Sequence, residues 1–238
     1  MDNPYQTPAA AVAGPVAGPT QFKEASTLTA ATRLFLVAGA AVSAAAIFSA
    51  INQRFLLQQV QRGDLGYEEA YDQLALQLML IGLPQIAVSL GGVVIIAMWI
   101  HRMAWNARAL AGAGKLDYTP GWAVGWYFVP FANLWKPYQA MKQIWQASHD
   151  PQRPERVDVS GVLPLWWLLW IVSCIIGNLS ARMALKADTV DEEIAAAMAG
   201  IVSDAINIPL CLVFLLIVNR LFQAQTRQHR HRQAVLAN

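Results

Sequence analysis

The sequence predicts an all-α integral membrane protein with four transmembrane helices. A cytoplasmic re-entrant or interfacial segment and an amphipathic helix separate spans 2 and 3. Three observations predict this. The chain is 56% hydrophobic and only 13% charged, whereas soluble domains carry about 25% charged residues. Four apolar runs, about 34–52, 78–100, 162–180 and 200–222, each have the roughly 20 residues needed to cross about 30 Å of hydrocarbon. Positive charge is biased to one side of those runs.

Residues 1–27 are rich in Pro, Ala and Gly without periodicity, as in a disordered leader. They lack the basic start and apolar core of a secretion signal, so the expectation is that they are retained. The first span is rich in small residues from Ala38 to Ala50, which favour close helix contacts in lipid. Residues 53–77 read as a polar loop, with Tyr67 to Leu78 able to extend the second helix. Pro84 is a candidate kink in span 2, and Gly91-Gly92 a candidate close approach. Trp166, Trp167 and Trp170 open the third span as an interfacial belt would. The tail, 227–238, is basic and reads as cytoplasmic and solvated.

The most distinctive stretch is Thr119 to Ser148. No charged residue lies between Asp117 and Lys136, and the interval holds Trp122, Trp126, Tyr127, Phe128, Phe131 and Trp135. Pro130 breaks a straight helix there. After Lys136, Pro137 suits a first helical position. Tyr138, Met141 and Trp145 then recur on one face, with Lys136, Gln139, Lys142, Gln143 and Gln146 on the other. That pattern is an amphipathic helix, 136–148, lying flat on a membrane or on neighbouring helices. The aromatics have two readings: headgroup anchors, or the lining of an inner-side pocket or partner surface. For the second reading the candidates are Arg102, Trp105, Asn106, Trp122, Trp126, Pro130, Asn133, Trp135, Pro137, Tyr138 and Trp145. Arg102 also has a simpler reading, snorkelling to the headgroups. A buried Asn133 amide needs partners, and the carbonyls freed by Pro130 are the nearest.

With both termini cytoplasmic, the inner segments hold 13 of the 17 Lys and Arg, and the outer segments hold Arg54, Arg62, Arg182 and Lys186. A fifth crossing through 119–135 would put Arg227, Arg230 and Arg232 outside, against that bias. So 119–135 is expected on the inner side, re-entrant or interfacial; a re-entrant backbone needs cover from protein or a wet cavity.

Several of these residues carry a family likeness: Trp105-Asn106, the run Pro120 to Trp126, Val129-Pro130, Asn133, Pro137-Tyr138, Trp145 to Ser148, and Trp166-Trp167. This pattern resembles the bacterial membrane family called domain of unknown function 4328, over roughly Leu34 to Arg227. The opening NPYQTP is similar to the openings of other bacterial inner-membrane proteins. The resemblance implies a bacterial envelope location and no catalytic residues.

Chemistry is sparse. There is no P-loop, dinucleotide fingerprint, His-Glu-x-x-His or Cys-x-x-Cys. No catalytic residue, metal ligand or cofactor is therefore assigned, and the chain is not expected to be an enzyme. Cys174 and Cys211 read as packing residues or, more remotely, as a redox pair. His229 and His231 alternate with Arg230 and Arg232, a basic tail suited to anionic lipid or, less simply, a metal site. The candidate intramembrane polar residues are Asp204, Asn207 and Asn178. Asp204 is either an interfacial, helix-capping carboxylate or a functional acid. The net charge of +2 is too small to imply nucleic acid. The expected function is a structural or interaction component of a bacterial inner membrane, touching lipid, its own copies or another membrane protein. The alternative is a small oligomeric transporter or channel component.

Overall fold

A computed structural model describes residues 21–237, and all its regular elements are helical. These are α1 (Ser26–Arg62), α2 (Tyr67–Gln77), α3 (Leu83–Ala111), α4 (Pro120–Gly125), α5 (Lys136–His149), α6 (Val162–Lys186) and α7 (Val190–Ala237), with short helical turns between them. A five-residue π-helical turn, Leu78–Gly82, joins α2 to α3, so Tyr67–Ala111 is one rod of 45 residues. Pro84 follows that turn. Its ring removes a donor and crowds the carbonyl one turn back, and the widened π turn absorbs both effects without ending the helix.

Four helices are long and apolar enough to cross a membrane: α1, the α2–α3 rod, α6 and α7. They contain the four predicted spans. The expected extension of the second helix from Tyr67 to Leu78 is present, whereas the first part of the predicted polar loop 53–77 is instead helix, because α1 runs on to Arg62 before turning at Gly63 (φ 76°). The basic tail is also helix, continuing α7 to 48 residues. At 1.5 Å per residue that rod is about 70 Å long, more than twice a hydrocarbon core. Of the predicted leader, residues 1–20 lie outside the described residues. Residues 26 and 27 open α1, and 21–24 are hydrogen-bonded to α3.

The rods pack in the order α3, α1, α7, α6, and α3 and α6 do not pack on each other. Glycine permits the close contacts. A Cβ on Gly91 would lie 2.6 Å from the Phe35 ring, so a larger residue at that point would force the ring of α1 to move. The outward faces of the edge helices are apolar, for example Leu90, Val93 and Val94 on α3 and Leu168 and Ile175 on α6. Such faces suit hydrocarbon, where water would oppose them.

The densest core sits at one end, where the start of α1, the end of α3, α5, the start of α6 and the middle of α7 converge. It includes Trp99, Met103, Met141, Ile144, Leu163, Phe214, Ile217 and Leu221. This is the end that holds most of the Lys and Arg, and it is called the inner end below. The apolar face of α5 is buried in this core, so the amphipathic helix lies on its neighbouring helices. Two buried polar groups tie the core together. The Trp99 indole donates to Thr29 Oγ1 at 3.2 Å, and the Gln225 amide donates to the Met103 carbonyl and to Ser148 Oγ, both at 2.9 Å.

Candidate functional site: a lateral groove above an aromatic hairpin

The loop after α3 is held by its own polar groups. Buried Arg108 donates to the carbonyls of Leu116 (2.8 Å) and Tyr118 (3.0 Å). Gln143 of α5 accepts from the Asp117 backbone N–H and donates to its carboxylate. Thr119 then caps α4, its hydroxyl accepting from the Trp122 N–H, with Pro120 at the first helical position. α4 has six residues, too few to cross a membrane. The chain turns back through Val129-Pro130. There the Ala132 N–H donates to the Pro130 carbonyl at 2.7 Å, and Phe131 has φ 62° and ψ −50°. This is a γ-turn of the rarer, strained kind, built on a side chain that is 80% exposed. Phe128 is 72% exposed, and Trp122, Leu134 and Trp135 are exposed beside it. The hairpin thus ends in a charge-free aromatic tip.

Aromatic contacts fasten this hairpin to α6. Tyr127 meets Trp170 edge-on at 5.6 Å, Trp170 stacks on Trp167 at 4.7 Å, and the Trp167 indole donates to the Leu134 carbonyl at 3.2 Å. The Tyr138 ring lies 6.3 Å from Trp167.

Above the hairpin, the gap between α3 and α6 forms a groove backed by α1 and α7. Its inner chamber has a volume of about 420 Å³. Phe35 and Gly39 of α1, Val93 and Ile96 of α3, Trp166 and Trp170 of α6, Cys211 and Phe214 of α7, and Tyr127 and Phe128 of the hairpin line it. Toward the other end lies a second chamber of about 590 Å³. Its polar lining includes Ser49, Gln53, Tyr71, Gln77, Gln85, Ser180, Glu193 and Asp204. Between the two chambers runs one polar layer. Asn207 donates to Ser43 Oγ at 2.9 Å, and Gln85 donates to Asp204 Oδ1 at 2.7 Å. Asp204 and Asn207 are three residues apart, on one face of α7.

The chain's family is now decided by its match to the family model for the domain of unknown function DUF4328, over residues 64–223. The protein belongs to that family. No curated protein and no solved structure matches it. The DUF4328 match takes in α2 to α6, the hairpin and α7 as far as Gln223, leaving out its basic tail. It starts after α1, short of the likeness over Leu34 to Arg227, although α1 supplies Phe35, Gly39 and Ser43 to the groove.

The residues singled out in the sequence are spread over several places. Arg102, Trp105 and Asn106 do not join the hairpin. They hold a strap, residues 21–24, across the end of α3. The Asn106 amide accepts from the Lys23 N–H and donates to the Lys23 carbonyl, both at 2.9 Å. Trp105 donates to the Gln21 carbonyl, Arg102 donates to the Glu24 carbonyl, and the Lys23 ammonium lies 3.8 Å over the Trp105 ring. Phe22 stacks on His229 of α7 at 4.1 Å. Asn106 (0% exposed) and Trp145 (4%) are core and line no surface, and Pro137 is also buried. Trp122, Trp126, Pro130, Asn133, Trp135 and Tyr138 do belong to the hairpin and its junction with α5. The carbonyl before Pro130 is met by the Asn133 backbone N–H, where the sequence suggested its side chain. Asp204 and Asn207 meet at the polar layer, whereas Asn178 is exposed on α6 and donates to the Cys174 carbonyl within its own helix.

Ser43 and Gln85 were not anticipated, because a lone Ser or Gln in an apolar run gives no signal until its partner is in place. Tyr127 is another surprise. Its ring lines the inner chamber, but its hydroxyl is buried behind the wall without a hydrogen-bond partner among the described residues. An orphaned buried hydroxyl costs about 1–3 kcal/mol. Tyr127→Phe keeps the ring and removes the orphan, so it is expected to stabilise the protein by about 1 kcal/mol. Thermal unfolding in detergent checks this: a lowered midpoint would mean that the hydroxyl has a partner.

Proposed function

We propose that this DUF4328 protein is a multi-pass protein of a bacterial inner membrane with both termini cytoplasmic. We further propose that it acts as a lipid-contacting component whose inner chamber receives one acyl chain from the inner leaflet. The observation that carries this reading is the groove itself. It is apolar, opens sideways between two helices with apolar outer faces, and is floored by the aromatic hairpin. Along α3 it runs from Val88 to Ile100, about 18 Å at 1.5 Å per residue. One leaflet of hydrocarbon is about 15 Å, half of a roughly 30 Å core. An acyl chain entering from the inner interface would therefore end near the polar layer. The charge-free tip, with Phe128 and Phe131 exposed, supports a hairpin embedded in that leaflet as a re-entrant or interfacial wedge.

Photocrosslinking with a phospholipid carrying a diazirine on its chain tests the reading. Crosslinks are expected on Ile96 and Trp170, and Ala97→Phe, which grows a ring into the chamber, is expected to remove most of them. Crosslinks confined to the outward Leu168 face would sink it. For orientation, a cysteine at the exposed Lys142 position, in a Cys174→Ser background, is expected to resist an impermeant maleimide added to intact cells. A cysteine at Glu68 is expected to react.

One observation favours the alternative of a small oligomeric transporter or channel component: only a single polar layer separates the two chambers. Proteoliposome flux that depends on Asp204 would support it.

A further inference from the structure

We propose that the outer chamber is a binding site for a protonated alkylamine, with Asp204 as its counter-charge. Among the described residues, the only charged side chains lining this chamber are Asp204 and Glu193, both carboxylates. Glu193 is already engaged, accepting from the Tyr71 hydroxyl at 2.9 Å. Asp204 lies about three helical turns further along α7 than Glu193, half-buried beside Gln85. Gln85 donates to it through Nε2, so the Gln85 carbonyl oxygen stays available as an acceptor. A carboxylate within a membrane span is costly unless a partner or a wet cavity offsets it, and a cation seated there does both jobs of a partner: charge and hydrogen bonds.

The approach to the chamber has the matching sign. Residues 53–78 and 181–203, with Asp204 itself left out, hold eight acids against four bases, a net charge of −4. An acidic mouth of this kind raises the local concentration of cations. Between mouth and acid the walls are small and apolar, with Ala46, Ala50, Leu74 and Ala197 among them. Those walls suit a hydrocarbon body better than a bare metal ion, and no group of three metal-ligating side chains occurs among the described residues. The Asp204 end offers acceptors, a carboxylate and an amide carbonyl, so it suits an ammonium that still carries N–H donors. This inference does not rest on lipid in the inner chamber, and either can fail alone.

Titration calorimetry on the full chain in lipid nanodiscs, with empty nanodiscs subtracted, tests it. Hexylamine hydrochloride at neutral pH is expected to bind saturably, one per chain. Asp204→Asn is expected to weaken it about thirtyfold or more, as loss of one partner of a buried charge pair does. Glu193→Gln is expected to change it less than about fivefold, since that carboxylate is already engaged by the Tyr71 hydroxyl. Neutral 1-hexanol is expected to distinguish none of these proteins. On the unmodified protein alone, hexyltrimethylammonium, which has no N–H, is expected to bind at least about tenfold more weakly than hexylamine. Absence of saturable hexylamine binding to the folded protein would overturn the proposal. So would equal binding by a folded Asp204→Asn variant, or equal binding of the two ammonium ions.

Discussion

Trp99→Ala is expected to destabilise the protein by about 3–5 kcal/mol, the range for emptying a large aromatic site in a packed core. Trp99 is fully buried at the inner end of α3. Its ring meets Phe214 of α7 edge-on at 5.9 Å, and its indole N–H is answered by Thr29 of α1. Three crossing helices therefore meet on one side chain. Truncation opens a cavity and leaves the buried Thr29 hydroxyl without its donor. Trp99→Phe separates these effects, because it keeps an aromatic ring while losing the N–H. Its expected cost is about 1–2 kcal/mol, a lost hydrogen bond plus a smaller void. Thermal or denaturant unfolding in detergent measures both. If Trp99→Ala and Trp99→Phe were equally harmful, the hydrogen bond would outweigh the packing.

The second large effect is at Gln225, where size and polarity make opposite predictions. The side chain is fully buried and gives both amide hydrogens away, to the Met103 carbonyl and to Ser148. Its own oxygen has no partner among the described residues. Ser148 still donates to the Ile144 carbonyl without it, and the Met103 carbonyl lies within helix α3. Little is left stranded if the amide goes, so volume should dominate. Gln225→Ala is expected to cost about 2–4 kcal/mol through the void it leaves. Gln225→Met, of similar length and without the orphaned oxygen, is expected to stay within about 1.5 kcal/mol of the parent. A methionine variant as unstable as the alanine one would show that the two hydrogen bonds hold α3, α5 and α7 in register.

Much of the fold was legible because a bilayer constrains it: runs of roughly 20 apolar residues are hard to misread, and all four lie in the observed long helices. What happens beyond the bilayer was less legible. At the end of α1 the only signal is a short stripe, Leu56, Leu57 and Val60, among polar neighbours, and around Arg227 in α7 the run is polar. The candidate site was half legible. The hairpin could be read from Pro130 and its aromatics. The groove could not, because it exists only where α3 and α6 fail to touch, which is a property of the assembled bundle. Arg102, Trp105 and Asn106 drew attention as the lining of an inner-side pocket or partner surface, yet their partners are backbone atoms of 21–24, a segment whose composition predicts no structure.

One rod, α7, carries Asp204 on one side of Pro209 and Gln225 on the other. Proline leaves the carbonyl four residues earlier without its usual helical donor and softens the helix there. The molecule therefore has a mast with a softened joint, stepped in the packed core below and stayed above by bonds from Gln61, Tyr71 and Gln85 to Asp191, Glu193 and Asp204. Leaning at that joint would widen or pinch the upper cavity while the footing stays still, so a ligand held by the upper segment would register as a change of angle rather than as a rearrangement of the base.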